Sequence, residues 1–228
     1  MTKWLLFFTI LVLVSFNVLS QTGPQESSIK PQFRISYINY PDVREYVELI
    51  EGIYTDLGFR VRLLPVPPSR GLMLLNEGKV DADVVRLKAT IVKYPNLLVV
   101  TPALQDGELS LICLKETHCN REMLDDENVN ILINDGVLNL FDANELRAHP
   151  IVLDRIEKFP KLIKAKRHLY ALYVVDELMH REMEQNYQLV TIKSAPVHHA
   201  INKKHAALLP MIEEKLRERL PALQESRR

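Results

Sequence analysis

Strand patterns and helix patterns alternate along the chain from residue 33 onward. Phe33, Ile35 and Tyr37 alternate with polar residues, which predicts a strand, and an apolar face at helical spacing follows over residues 43–57. A second strand pattern occupies residues 59–63, where apolar residues alternate with arginines. Because strands joined by intervening helices form a sheet of largely parallel strands, this order predicts an α/β fold.

Local signals mark the ends of these elements. Asp42 and Glu45 have capping-box spacing at the start of the first helix, and Gly58 stands where a C-cap glycine belongs. Ser69 is predicted to cap a second, short helix that ends at Gly78. The strand patterns that follow lie at residues 80–84 and 97–100.

The same order of elements recurs in the second half of the chain. The predicted elements are a connecting strand (109–114), a core strand ending in a turn (129–136), two helices (138–147 and 151–165), a strand (169–175) and a helical segment from Ser194 onward. This recurrence predicts two α/β lobes and a return to the first lobe. The expected boundaries are 33–104 for the first part of lobe I, 105–193 for lobe II, and 194–228 for the return helices of lobe I.

The first twenty residues predict an export signal. Lys3 provides a basic start, an apolar run extends from Trp4 to Val14, and Ser20 is a small residue before the expected cleavage point. A membrane-spanning helix is the alternative, but this run is short for the ~20 apolar residues that a bilayer core requires. We therefore expect a signal peptide at residues 1–20 and a flexible leader at residues 21–32, which is rich in Gln, Ser and Pro.

The charges of the chain are balanced. It has 29 Lys and Arg residues against 29 Asp and Glu residues, and cleavage of the signal would remove only Lys3 among them. A near-neutral chain with interspersed charges offers no electrostatic surface for nucleic acid or for an anionic membrane. At 228 residues it is long enough to form one large domain or two small lobes.

The two cysteines, Cys113 and Cys119, lie close together in the sequence. An exported chain meets oxidising conditions, so we expect a local disulfide between them, with two free thiols as the alternative. No histidine pair lies near them, and their spacing matches no usual zinc motif. We therefore predict no metal site there.

The segment "GKVDADVVRLKATIVKYPNLLVV", residues 78–100, carries two carboxylates and an arginine. In a strand, Asp81 and Asp83 share one face, and the cost of burying carboxylates predicts that Asp83 lies near the carboxyl end. That edge of an open α/β sheet is where ligands bind, and Arg86, just past the strand, can offer forked donors to an anion. The alternative is that Asp81 caps a neighbouring helix while Asp83 pairs with Arg86 on a solvated loop. Nothing nearby completes a metal coordination shell.

Three segments together carry a resemblance to a known family. They are "PPSRGLMLLNEGKVDADVVR", "YPNLLVVTPAL" and "HHAINKKHAALLPMIEEKL". They resemble bacterial periplasmic solute-binding proteins of family 3, which includes the amino-acid receptors of ABC transporters. The resemblance implies the type II periplasmic-binding-protein fold, in which two α/β lobes are joined by a two-strand hinge and close on a ligand. It also implies a periplasmic monomer without a cofactor, whose partners are a small-molecule ligand and a permease or a sensor kinase of the inner membrane.

Two charged residues correspond in part to the binding residues of those receptors. The receptors usually have a threonine and an arginine after the first-lobe strand, and the arginine grips the α-carboxylate of the ligand. Arg86 is the nearest arginine here but comes several residues early, and Lys88 and Lys93 lie nearer the usual place. In the second lobe, "YALYVVDEL" resembles the strand whose final aspartate binds the ligand amine, which points to Asp176. Asp176 is equally well placed as the N-cap of a helix that begins at Glu177.

The topology adds four further candidates for the cleft. Tyr37 and Asn39 follow the first strand, and Asp135 follows the core strand of the second lobe. Tyr37 is a natural platform for an organic ligand or, alternatively, a core residue. Arg70 starts a helix after a proline-rich turn, where it either reaches the cleft or is solvated.

Catalytic motifs are absent from the sequence. Gly71 and Gly78 do not form a phosphate loop, because Val80 stands where Ser or Thr must bind magnesium. There is no G-x-S-x-G elbow, and the histidines near the C-terminus lack zinc-ligand spacing. The resemblance to solute-binding proteins therefore implies a non-enzymatic protein that captures a small polar solute, amino-acid-like or otherwise anionic or zwitterionic. The alternatives are a sensory module that signals to a membrane receptor and an enzyme recruited on the same fold.

Overall fold

The computed structural model describes residues 30–40, 43–142, 144–153, 155 and 158–226 of the chain. The predicted signal peptide at residues 1–20, residues 21–29 of the predicted leader, and Asp42 of the predicted capping box lie outside these ranges. Within them, no helix is both long enough and apolar enough to cross a membrane.

The first sheet is built mainly from the first half of the chain. Its strands, within the described residues, are β1 (Gln32–Tyr37), β2 (Arg60–Pro65), β3 (Ala82–Leu87), β4 (Leu97–Val99) and β10 (Val197–Asn202). Their spatial order is β2-β1-β3-β10-β4. β1 is parallel to β2 and β3, whereas β10 runs antiparallel to β3 and β4. The sheet is therefore mixed, and a late strand of the chain completes it.

The register between β3 and β10 changes part-way along the pair. His198 lies opposite Arg86, and Ala200 lies opposite Asp83. Val84 and Val85 therefore both stand against the single residue His199. An extra residue in one strand of an antiparallel pair is a β-bulge, which bends the strand and redirects its side chains.

The second sheet belongs to the second lobe. Its strands are β5 (Glu108–Leu114), β6 (Asn130–Ile133), β7 (His149–Val152), β8 (Tyr170–Val175) and β9 (Tyr187–Ser194). Their spatial order is β7-β6-β8-β5-β9. β6 is parallel to β7 and β8, and β5 is antiparallel to β8 and β9. Cys113 near the end of β5 and Cys119 in the following turn form the expected disulfide.

Helices cover the sheets of both lobes. Those of the first lobe are α1 (Arg44–Asp56), α2 (Pro68–Asn76), α3 (Lys88–Ile91) and α7 (Leu209–Ser226). Those of the second lobe are α4 (Asp135–Leu138), α5 (Phe159–Lys164) and α6 (Glu177–Glu184). α1 buries the apolar face that its sequence predicts, and Gly58 follows its C-cap with a φ of 90°. Only glycine adopts that conformation at no steric cost, so the predicted helix end is confirmed.

Two extended segments connect the lobes. They lie side by side, because Ala195 N donates to the carbonyl oxygen of Gly107 at 2.7 Å and Val197 N donates to that of Gln105 at 3.0 Å. A Cβ atom at Gly107 would lie 2.8 Å from the Ala195 carbonyl oxygen, so a side chain there would force the two segments apart. The connection is therefore narrow and closely paired.

Four predicted helix features are wrong. The helical segment expected from Ser194 contains the strand β10, and a true helix begins only at Leu209. Residues 149–152 form β7, which pairs with β6, so the helix expected over 151–165 shrinks to α5. The N-cap of α2 is Pro67, which replaces the predicted Ser69 cap. The helix expected over 138–147 is not formed by the described residues of that range, because α4 ends at Leu138 and turns follow it. In the first two cases pairing with a strand distant in the chain overrides the local pattern.

Candidate ligand-binding cleft

A cavity of about 300 Å³ lies between the two lobes. The first lobe contributes the loop after β1, one face of α1 and the end of β3 with α3, and the second lobe contributes the start of α4, the end of β8 and α6. This is the small end of the size range of ligand pockets, which usually lie between domains in the same way.

The lobes touch around this cavity. Lys93, which follows α3 in the first lobe, donates to the carbonyl oxygen of Asn139 in the second lobe. Leu87, at the end of β3, packs against the apolar core of the second lobe, and Tyr40 packs against apolar clusters of both lobes. The structure therefore has the lobes in contact over the cavity.

Asp83 is fully buried beside the cleft. Its Oδ2 accepts a hydrogen bond from Ser36 Oγ at 2.6 Å and one from Arg86 Nη2 at 2.7 Å. Burial raises the pKa of Asp83 above its usual value, while the charge of Arg86 and the hydrogen bond from Ser36 oppose that rise. The sequence analysis placed Asp83 near the carboxyl end of the strand, but it is the second residue of β3 and is not among the residues that line the described cavity. Asp83 is thus the counter-ion that holds Arg86 in place.

Arg86 lines the cavity with a guanidinium that is only partly hydrogen-bonded. The residue is 5% exposed, and within the described part of the chain its Nε and Nη1 have no hydrogen-bond partner. The sequence analysis placed Arg86 just past the strand, but the residue lies inside β3. Unpaired buried donors of a cation are costly, and an anionic acceptor that reached Nε or Nη1 would offset that cost.

Gly71 of α2 allows the guanidinium to lie against the helix. A Cβ atom at this position would lie 2.1 Å from Arg86 Nη2 and 2.8 Å from Asp83 Oδ2. No side chain fits in that space. The glycine is therefore a spatial requirement of the ion pair.

The second lobe presents two acidic residues to the cavity. Asp135 begins α4, and Asp176 precedes α6; both line the cavity. Asp176 Oδ1 accepts a hydrogen bond from Met179 N at 2.7 Å, so the N-cap role suggested by the sequence is present together with the position in the cleft. Asn134 caps α4 in the same way through Val137 N at 2.7 Å.

The other sequence candidates lie elsewhere. Tyr37 is partly buried and packs against the core of the first lobe, which matches its alternative as a core residue. Asn39 and Arg70 are exposed. None of these three residues is among those that line the described cavity.

Several tyrosines of the cleft escaped the sequence analysis. Tyr40, Tyr46, Tyr94 and Tyr173 line the cavity, and Tyr46 donates to Gln105 Oε1 at 3.0 Å. Tyr46 appeared in the sequence as part of the buried face of α1. Tyr40 carried a usable signal, because it follows the carboxyl end of β1, where parallel strands deliver ligand contacts.

Asp81 lies outside the cavity and has a structural role. It accepts hydrogen bonds from Arg34 N at 2.8 Å and His205 Nε2 at 3.0 Å, and its Oδ1 lies 2.7 Å from Lys204 Nζ. Burial acts to raise its pKa, but the hydrogen bonds from Lys204, His205 and Arg34 outweigh burial and hold the pKa well below its usual value. Asp81 thus ties β1 to the turn after β10.

The histidines of β10 are buried within the first lobe. His199 Nε2 lies 2.9 Å from Tyr54 Oη, and His198 Nδ1 lies 2.8 Å from the carbonyl oxygen of Val100. Burial lowers the pKa of His199 to about 4. Among the described residues, no group of three or more His, Cys, Asp or Glu side chains is arranged to hold a metal ion.

Comparisons with known proteins identify the fold. No family model matches the chain, and no curated protein matches its sequence. A solved structure does match: an ancestral amino acid-binding protein, a precursor of cyclohexadienyl dehydratase, aligns with a TM-score of 0.70 and 15% identity over 86% of this chain and 94% of that chain. The chain has the type II periplasmic-binding-protein fold.

Two further solved structures share this type II fold. The amino acid ABC transporter substrate-binding protein AbpA from Streptococcus pneumoniae, bound to L-arginine, has a TM-score of 0.64 and 14% identity over 86% of this chain and 94% of that chain. A putative L-cystine ABC transporter from Listeria monocytogenes has a TM-score of 0.67 and 15% identity over 83% of this chain and 90% of that chain.

Proposed function

We propose that the protein captures a small organic anion or zwitterion in the cleft between its lobes. The observation that carries this proposal concerns Arg86, which lines the cavity. Its Nε and Nη1 have no hydrogen-bond partner among the described residues. A ligand carboxylate would accept a charge-assisted hydrogen bond from either of these donors. Asp83 fixes the orientation of the guanidinium before the ligand arrives.

The acidic residues of the second lobe supply the complementary charge. Asp135 and Asp176 line the cavity opposite the lobe that carries Arg86. A ligand with a carboxylate and an amine matches both sides, in the way that the arginine bound by AbpA carries both groups. This arrangement supports an amino-acid-like solute.

Hinge closure accounts for how such a ligand enters. We propose that residues 33–104 with 194–228 move as one lobe and 105–193 as the other, about the paired segments around Gly107 and Ala195. The hydrogen bond from Lys93 to Asn139 then belongs to the closed form. With the signal peptide proposed at residues 1–20, the protein works in the periplasm and delivers its ligand to a permease or reports it to a sensor kinase.

A ligand screen by thermal shift tests this function. Residues 21–228 are purified and heated with amino acids, organic acids, polyamines and short peptides. A ligand at one hundred times its dissociation constant stabilises the protein by about 2.7 kcal/mol. Calorimetry then gives the affinity, and mass spectrometry of the recovered ligand shows whether it is unchanged, as expected for a binding protein. No stabilisation by any compound would contradict the proposal, and conversion of the ligand would favour an enzyme.

A further inference from the structure

The wall of the cleft is mainly apolar, in contrast to the polar solute that the sequence suggested. Besides the tyrosines, aliphatic side chains from both lobes line it, among them Ile38, Leu72, Val85, Val137 and Val174. Among the described residues that line it, the charged ones are Arg86 and Lys93 of the first lobe and Asp135 and Asp176 of the second. A ligand that fills this space needs a charged head and an apolar body.

A second cavity of about 180 Å³ lies in the second lobe. It is formed between α5 and α6 against β5 and β8, and Ile112, Phe159, Pro160, Ile163 and Met183 contribute to its wall. A cavity of about 150 Å³ with a comparable apolar lining stays dry and binds benzene in another protein. This second cavity therefore has the size and the chemistry to accept an apolar group.

Tyr173 and Met179 line both cavities. They are the shared wall between the cleft and the second cavity. Methionine is unbranched and has three rotatable bonds, so Met179 is the side chain that yields most easily to a ligand. The cleft is thus separated from an apolar extension by Tyr173 and the adaptable side chain of Met179.

We infer that the ligand is an amphipathic carboxylate whose apolar arm passes Met179 and occupies the cavity of the second lobe. This inference rests on the proposed function, because the carboxylate is the group that Arg86 holds. The arm is unbranched or ends in a single ring, since the second cavity has room for a group of about that size. Specificity then comes from the length of the arm, while the head group provides the anchor.

Two series of probes with a fixed head and a growing arm test this inference. One series is alanine, norvaline, norleucine and 2-aminooctanoate, and the other is butyrate, hexanoate and octanoate. Calorimetry should show affinity rising by about fourfold for each methylene that becomes buried. The rise should hold in whichever series carries the correct head, and it should stop when the second cavity is full.

Two matched variants locate the arm. Met183→Phe reduces the volume of the second cavity at a position that does not line the cleft. The control, Met211→Phe, makes the same substitution at an exposed position of α7 in the other lobe. Met183→Phe should remove most of the gain in affinity of the longest probes and leave the affinity of the short probes unchanged. Unchanged binding of the short probes also shows that the variant is folded. Met211→Phe should change neither the affinity of the long probes nor that of the short ones.

Three results would overturn the inference. The first is an affinity that does not depend on arm length, and the second is an equal loss of long-probe binding in both variants. The third is binding of a highly polar solute in the broad screen while both probe series remain silent, which leaves the proposed function intact. Silence of every compound would instead remove the proposed function and the inference together.

Discussion

Asp83 and Arg86 form a buried ion pair across 2.7 Å although they lie three positions apart in the same strand. Side chains three positions apart in a regular strand point to opposite faces of the sheet. The bulge in β3, where Val84 and Val85 stand against the one residue His199, adds a residue and brings the pair to a common side. The backbone irregularity therefore allows Asp83 to pair with the cavity-lining Arg86.

Arg86→Ala should destabilise the protein by about 3 to 5 kcal/mol, because it leaves the buried carboxylate of Asp83 without its cation. The double variant Asp83→Asn with Arg86→Met should recover most of that loss, since both charges are removed together. Urea unfolding measures both free energies. If Arg86→Ala is as stable as the wild type, the pair is not buried as it is in this structure.

The same double variant should lose affinity for the ligand found in the screen. Removal of one partner of a desolvated charge pair costs on the order of 2 to 5 kcal/mol of binding free energy. Calorimetry on the folded double variant measures this loss apart from any loss of stability. Unchanged affinity would exclude Arg86 as the anchor of the ligand.

Gly71→Ala should destabilise the protein by about 1 to 3 kcal/mol and weaken ligand binding, because its Cβ would displace the guanidinium of Arg86. Gly52→Ala in α1 is the matched control. Its Cβ would lie 2.9 Å from the movable Nη1 of Arg219 only, and alanine favours a helix by about 1 kcal/mol over glycine. The control should therefore be neutral or slightly stabilising in urea unfolding, and an equal loss in both variants would contradict the role of Gly71.

His199 should make the protein less stable as the pH falls from 7.5 to 5. Burial holds its folded-state pKa at about 4, whereas an unfolded histidine titrates near 6.5, so in this window the unfolded chain binds more protons. The expected loss from this residue is about 2 kcal/mol by that linkage. Urea unfolding of His199→Gln should show a flatter pH dependence, and an identical slope in both proteins would argue against a neutral buried histidine.

Asp81 should contribute stability at neutral pH that is lost in acid. Its pKa is lower in the folded state than in the unfolded chain, so its contribution is complete above the unfolded pKa, about 3.9, and declines as the pH falls further. At pH 7, Asp81→Asn should cost about 1.5 to 3 kcal/mol, the size of a charge-assisted hydrogen bond. The stabilities of the variant and the wild type should converge as the pH falls from 7 towards 2. A constant difference between pH 7 and pH 2 would contradict the lowered pKa of Asp81.

The local sequence pattern was sufficient to predict an element that has one apolar face and clear ends. The buried side of α1, with Tyr46, Val47, Ile50, Ile53 and Tyr54, follows the helical period of the sequence, and Gly58 ends the helix as predicted. The alternation of Phe33, Ile35 and Tyr37 predicted β1 for the same reason. The order of strands and helices then led to the α/β class and to two lobes.

Tertiary structure alone decided β10 and the cleft. The sequence predicts a helical segment that includes His198 and His199, yet they lie buried in a strand because their partners, Val100 and Tyr54, come from distant segments. The position of Arg86 depends on a bulge against that same strand, and a bulge leaves no periodic trace in a short buried segment. Sequence patterns report the neighbours of a residue along the chain, whereas the burial of polar groups depends on partners that only the folded sheet brings within hydrogen-bonding distance.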